Sequence, residues 1–187
     1  MSFGSSILVM LIAFVVGVDG ILDEWQIFQP IVACTLIGAA CGNLTAGIIF
    51  GATLQMITIG WINVGAAVAP DIGLPAVVSA LLVCGPVALS IKHGIALTIP
   101  LAVVGQLLNV FIRKTIVKIT HQADQAAATG DLARLTRVHL LSMGVQGLRV
   151  LIPTILVMLI SPPAIKMVID DIPNACLLYT SDAADDL

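Results

Sequence analysis

Charge is what this sequence has least of. Only 10% of its 187 residues are Asp, Glu, Lys or Arg, against about a quarter in an ordinary soluble domain. The first 91 residues contain no Lys or Arg at all. Such a chain cannot clothe a water-soluble globule of this length, and it offers no basic face that could neutralise the phosphates of a nucleic acid. Cysteine is scarce as well. Cys34, Cys41, Cys84 and Cys176 contain no C-x-x-C pair and have no neighbouring His pair, so they read as small apolar residues packed between helices. The sequence also lacks G-x-S-x-G, H-E-x-x-H and G-x-x-x-x-G-K-[ST], which removes the common hydrolase, metalloprotease and phosphate-cradling signatures. His93, His121 and His139 stand alone and read as surface residues rather than phosphoryl acceptors or metal ligands. No catalytic group, metal or cofactor is expected, and the chain does not read as an enzyme. A secretory leader is not expected either, because no Lys or Arg precedes the first apolar run and no small-x-small site follows it.

What is present is oil. Hydrophobic residues make up 59% of the chain and the mean hydropathy is +1.10, which places it among integral membrane proteins. A hydrocarbon core about 30 Å thick asks for about 20 apolar residues per spanning helix. Six apolar segments are candidates, at 7–21, 31–41, 47–62, 72–91, 94–112 and 144–160. The fourth, fifth and sixth approach full span length, whereas the earlier ones are short and interrupted by Gly and polar residues. Irregular backbone survives at membrane depth only where protein or a wet cavity satisfies its hydrogen bonds, and short broken segments point to the binding site of a transporter. The expected fold is an all-α integral membrane protein, a multi-spanning bundle with short, Gly/Pro-broken or re-entrant helices. Gly38 with Gly42, and Gly47 with Gly51, form two G-x-x-x-G pairs that predict close helix contacts.

Five of the eight basic residues, Arg113, Lys114, Lys118, Arg134 and Arg137, lie in "RKTIVKITHQADQAAATGDLARLTR" at 113–137. By the positive-inside rule this stretch is cytoplasmic. It reads as two amphipathic pieces at the interface, broken at Gly130-Asp131. Arg149 then falls near mid-span, where a charge is costly unless it is paired or near water; a functional role and a protein-facing role both remain open. The final "CLLYTSDAADDL", 176–187, abandons the apolar rhythm. It is set apart as a foreign or disordered acidic tail, leaving 1–175 as the membrane domain.

Two clusters gather the polar residues of the apolar half: "LDEWQIFQP" and "LQMITIGWINVGAAVAPD". Each sets a Trp near carboxylates and amides. A pyranose presents hydroxyls that donate and accept, plus an apolar face that stacks on aromatic rings, so carboxylates and amides with Trp25 or Trp61 would suit it. An interfacial Trp belt with polar helix ends is the competing reading.

Longer stretches add more. "GILDEWQIFQPIVACTLIGAACGN", "GIIFGATLQMITIGWINVGAAVAPD", "HGIALTIPLAVVGQLLNVFIRKTIVKITHQAD" and "RVHLLSMGVQGLRVLIPTILV" together resemble the IIC membrane subunit of the mannose/fructose/sorbose family of bacterial phosphotransferase systems, over roughly residues 10 to 173. The resemblance implies a sugar permease of the bacterial cell membrane, completed by a IID membrane subunit and built from IIC protomers that trimerise in the lipid bilayer. Cytoplasmic IIA and IIB components would carry phosphate from phosphoenolpyruvate on His residues of their own. It also implies a hexose site at Asp23, Gln26, Gln55, Asn63, Ala66 and Asp71, with Gln55 standing where many relatives place Glu. Family members continue past "AIKMVIDDIPNA" with further apolar segments, so the chain is expected to be truncated there. A membrane receptor or scaffold for a protein or peptide partner is the alternative, since some family members dock antimicrobial peptides. An ion channel would want repeated carboxylate or carbonyl rings, which one chain cannot display.

Overall fold

Small polar residues set the starts of these helices and glycines set several of their ends. A computed structural model describes residues 1–61, 69–160 and 162–164. Ser2 opens α1 (Phe3–Leu22), its hydroxyl accepting from the Ser5 N–H at 3.1 Å. Pro30 begins α2 (Pro30–Cys41) where its missing N–H costs nothing, and Gly42 ends it at φ 81°, a left-handed turn that glycine adopts without penalty. Asn43 then caps α3 (Leu44–Thr58) by accepting from the Ala46 N–H at 3.3 Å. Gly85 and Pro86 stop α4 (Gly73–Cys84), and Ser90 caps α5 (Ile91–Ala128). Asp131 accepts from the Arg134 N–H at 2.9 Å to open α6 (Leu132–Leu159).

The all-α class is as expected, but the lengths are distributed differently. Among the described residues three helices, α1, α5 and α6, are long and apolar enough to cross a membrane. The apolar helices α2, α3 and α4 have only 12, 15 and 12 residues. The expected fourth span, 72–91, is therefore not one, because Gly85-Pro86 breaks it while its hydropathy runs on. The first segment is long enough to cross after all, extended to Phe3 by the cap at Ser2. The basic stretch also differs from the expected interfacial pieces. Its two halves are continuous with α5 and α6, which turn into each other at Thr129 to Asp131, with Gly130 at φ 68°. Polarity marked this stretch as wet, and nothing in its Ala, Gln and Lys content breaks a helix before Gly130.

Every residue of α4 is buried, and it packs against α1, α2, α3, α5 and α6. In lipid the association of helices rests on van der Waals fit more than on hydrophobicity, which favours small residues at crossings. The α2–α3 hairpin shows this directly. A Cβ on Gly47 would lie 2.6 Å from the Cys34 carbonyl oxygen and 2.9 Å from the Gly38 Cα. Gly51 meets the Pro30 carbonyl oxygen at 2.8 Å in the same sense. Gly38, Gly47 and Gly51 thus serve the predicted close contact, whereas Gly42 serves as the helix end instead. Gly17 of α1 and Gly147 of α6 make a second crossing, at which a Cβ on Gly17 would lie 2.9 Å from the Gln146 and Gly147 carbonyl oxygens. Cys34 and Cys84 are buried free thiols, Cys41 is half-buried, and the Cys34 thiol donates to the Ala76 carbonyl at 3.4 Å. Cys176, with the whole 176–187 tail, lies outside the described residues.

Candidate functional site

The connection between α1 and α2 runs over residues 23–29 with no regular structure of its own, so its N–H groups need partners from elsewhere. Asp19, in the last turn of α1, supplies them. Its carboxylate is 1% exposed. One oxygen accepts from the Trp25 N–H at 3.0 Å, and the other from Ile27 at 2.6 Å and Phe28 at 3.3 Å. Asp23 and Gln26 sit in this connection at φ 53° and 58°, left-handed conformations that side-chain-bearing residues adopt rarely.

From there an amide chain crosses to α3. Gln55 donates from Nε2 to Gln29 Oε1 at 2.9 Å. Gln29 donates to Gln26 Oε1 at 2.9 Å, and Gln26 donates to Asp23 Oδ1 at 2.5 Å. Gln55 Oε1 meanwhile accepts from the Ile31 N–H at 3.3 Å, satisfying one of the free N–H groups at the start of α2. The Gln55 side chain therefore ties the first turn of α2 to the polar row.

Asp71 lies just before α4. Oδ2 accepts from the Leu74 N–H at 2.8 Å, as a helix cap does, and its own N–H donates to the Ala102 carbonyl at 3.2 Å. Oδ1 pairs with Arg149 Nη1 of α6. The Arg149 and Asp71 side chains are only 2% and 9% exposed. Gly105 of α5 makes room for the carboxylate, since a Cβ there would come within 2.6 Å of Asp71 Cβ. Asp71 thus joins α4, α5 and α6 at one point.

Several of these groups border one cavity of about 510 Å³, within the size range of small-molecule sites. Asp23, Gln26, Gln29, Asp71, Asn109 and Arg149 supply its polar lining, and Trp61 and Phe28 add aromatic surface. Asp23 and Gln26 are exposed and Arg149 is buried, so the cavity deepens from the connection toward the ion pair. The starts of α2 and α4, at Gln29 and Gly73, also border it, bringing the positive ends of two helices to its rim. Asn109 Oδ1 and Arg149 Nε are buried without a hydrogen-bond partner among the described residues. The lining can donate and accept hydrogen bonds at several points and offers aromatic surface beside them.

Of the residues singled out in the sequence, Asp23, Gln26 and Asp71 line the cavity. Gln55 stands one layer behind, bonded to the lining residue Gln29. Asn63 and Ala66 lie outside the described residues. Of the two tryptophans, Trp61 lines the cavity and Trp25 is 67% exposed. Arg149, left open between two roles, is buried inside the chain against Asp71. Asp19, Gln29 and Asn109 were not among the expected site residues. A lone carboxylate inside an apolar run was the available signal for Asp19, whereas Asn109 joins the site only through the packing of α5. No cluster of three or more His, Cys, Asp or Glu that could hold a metal occurs among the described residues.

Comparison with known proteins gives consistent similarities. The family described as "PTS system sorbose-specific iic component" matches residues 3–180. The mannose-specific EIIC component of the phosphotransferase system of Escherichia coli K12 is 45% identical over 153 residues, covering 82% of this chain and 57% of that protein. The fructose permease IIC component of Bacillus subtilis is 42% identical over 168 residues, covering 90% of this chain and 62% of that protein. The sorbose-specific EIIC component of Klebsiella pneumoniae is 40% identical over 169 residues, covering 90% and 63%. The chain thus spans about three fifths of the length of these relatives. Among solved structures, a chain in the cryo-EM structure of the mannose transporter ManYZ with microcin E492 superposes with a TM-score of 0.84 at 39% identity, covering 98% of this chain and 74% of that one.

Proposed function

This chain belongs to the family of sorbose-specific IIC components of the phosphotransferase system, and we propose that it is a sugar-specific permease subunit whose cavity binds a hexose of the mannose, fructose or sorbose type. It works in the bacterial cell membrane with a IID membrane subunit, and its protomers trimerise there. Phosphoryl transfer belongs to the IIA and IIB components, so this subunit binds and passes the sugar rather than reacting with it. The observation that carries the reading is the composition of the lining. An amide and carboxylate row and a buried arginine-carboxylate pair border one cavity of about 510 Å³. A sugar hydroxyl is both donor and acceptor, so it can complement the Gln26 amide, the Asp23 carboxylate and the unpaired Asn109 and Arg149 atoms alike. Trp61 suits the apolar face of the ring. Asn63 and Ala66, which the family resemblance adds to the site, complete the proposed set with Gln55 behind it.

The test is phosphoenolpyruvate-dependent uptake of labelled mannose, fructose and sorbose in cells that also express IID, IIA and IIB. Uptake of one sugar is expected. Gln26→Ala and Asn63→Ala should each weaken it about tenfold or more, as expected when a hydrogen bond to the sugar is lost, with the protein still present in the membrane. Normal uptake by both variants would remove the site assignment. Uptake that appears only when the C-terminal segments of a relative are supplied would mark the chain as a truncated permease, and absence of uptake even then would remove the permease reading in favour of the receptor one.

A further inference from the structure

We propose that Asp19 is a positioning residue that sets the sugar preference of the cavity by fixing the shape of the 23–29 connection; the inference rests on the sugar reading above. Three observations carry it. The carboxylate is 1% exposed, and its bonds are spent on the N–H groups of Trp25, Ile27 and Phe28. Those residues flank Gln26, which lines the cavity from a left-handed backbone at φ 58°. Asp23, four residues beyond Asp19, is also left-handed at φ 53°, and its N–H donates to the Asp19 carbonyl at 2.7 Å. The connection is thus held in a conformation that its residues do not favour, by one residue whose backbone carbonyl takes its beginning and whose carboxylate takes its later N–H groups.

The chemistry requires a carboxylate. Three N–H donors converge on two oxygens, and an ionised Asp only accepts. Asn would keep the shape but turn an NH2 group toward incoming N–H groups, so at least one donor would lose its partner. Gln26 lies between two clamped residues, and its amide passes the Gln55–Gln29 row on to Asp23. A small rotation of the connection therefore moves Asp23, Gln26 and Gln29 together. Sugars of this class differ in where their hydroxyls sit, and a concerted shift of three hydrogen-bonding groups changes which arrangement fits. Asp19 touches none of the sugar itself.

Residue-resolved hydrogen exchange on the wild-type chain in lipid nanodiscs is the first measurement. The amides of Trp25, Ile27 and Phe28 should exchange at least about tenfold more slowly than those of Glu24 and Gln26 in the same connection, as charge-assisted bonds require. Uniform fast exchange across these five amides would overturn the proposal without any variant. The second measurement is uptake kinetics in the reconstituted system. Asp19→Asn should raise KM about tenfold and alter the ratio of uptake among mannose, fructose and sorbose, with maximal rate and membrane abundance retained. Asp19→Glu, which keeps the acceptor pair, should restore part of the preference. An Asp19→Asn variant with wild-type KM and sugar ratio would overturn the proposal while leaving the sugar reading intact. If Asp19→Asn fails to insert, the wild-type exchange pattern and the sugar ratio of Asp19→Glu decide the matter. A wild-type chain that moves no sugar, yet protects the three amides, would overturn the specificity role through failure of the sugar reading alone.

Discussion

Arg149→Met would leave Asp71 without its cation in a place where water reaches only 9% of its side chain. Breaking a buried pair by removing one partner costs about 3–5 kcal/mol, because the remaining charge keeps its desolvation penalty and loses its compensation. Native domains hold only about 5–15 kcal/mol in total, so this one substitution should remove a large share of the stability. Asp71→Asn should be nearly as damaging, since the Arg149 guanidinium is 2% exposed and would be stranded in turn. The double variant Arg149→Met/Asp71→Asn is the decisive one. Asn can still accept from the Leu74 N–H, as Asp71 Oδ2 does at 2.8 Å, so the start of α4 stays capped. No charge is then buried unpaired. The double variant should recover at least about 2 kcal/mol relative to the sum of the single changes, well outside the additivity expected of independent sites. Unfolding midpoints in a series of SDS mole fractions, followed by Trp fluorescence, would measure the cycle. Strictly additive effects would refute the reasoning, because they would mean that the two side chains do not compensate each other.

Two further outcomes follow from the same structure. Gly51→Leu should destabilise the α2–α3 hairpin by about 1–3 kcal/mol or more through overpacking, because the new side chain starts 2.8 Å from the Pro30 carbonyl oxygen and 3.0 Å from Cys34 Cβ; size-exclusion chromatography should show loss of the assembled peak, and a wild-type profile would contradict the packing argument. Thr129→Cys, at the exposed turn between α5 and α6, should react with a membrane-impermeant thiol reagent only from the cytoplasmic side once the native cysteines are replaced by Ser; labelling from outside would reverse the orientation read from the basic residues.

The sequence disclosed some of this architecture more readily than the rest, and the difference is physical. Membrane class and helical content were plain, because hydropathy and scarce charge are sums over many residues. Gly38, Gly47 and Gly51 announced a close approach because only small residues permit it. Gly130 announced a turn by its conformational freedom. Hydropathy misled at residues 85–91, where Pro86 breaks the helix without lowering the apolar average. It misled again at 113–137, where polarity set off two separate interfacial pieces although they continue the helices of the neighbouring spans. In the site, Asp23, Gln26 and Asp71 stood out as polar groups in apolar surroundings, but their partners were hidden by distance along the chain. Arg149 lies 78 positions from Asp71, and no local pattern couples them. Asp19 is tied to Trp25, Ile27 and Phe28 by bonds to backbone N–H groups, which leave no side-chain pattern in the sequence.

The burial of α4 bears on how the chain is made. Its 12 residues rise only about 18 Å at 1.5 Å per residue, short of the roughly 30 Å that a stand-alone span needs. With all of them enclosed by other helices, α4 has no surface to show to lipid. Membrane partitioning can place α1, α5 and α6 one by one as they are synthesised, but it cannot place α4. Its place depends on the enclosure formed by α1, α2, α3, α5 and α6, where its own Val83 and Phe50 of α3 close on Gly94 of α5. The short helix is therefore held by its neighbours rather than by the bilayer.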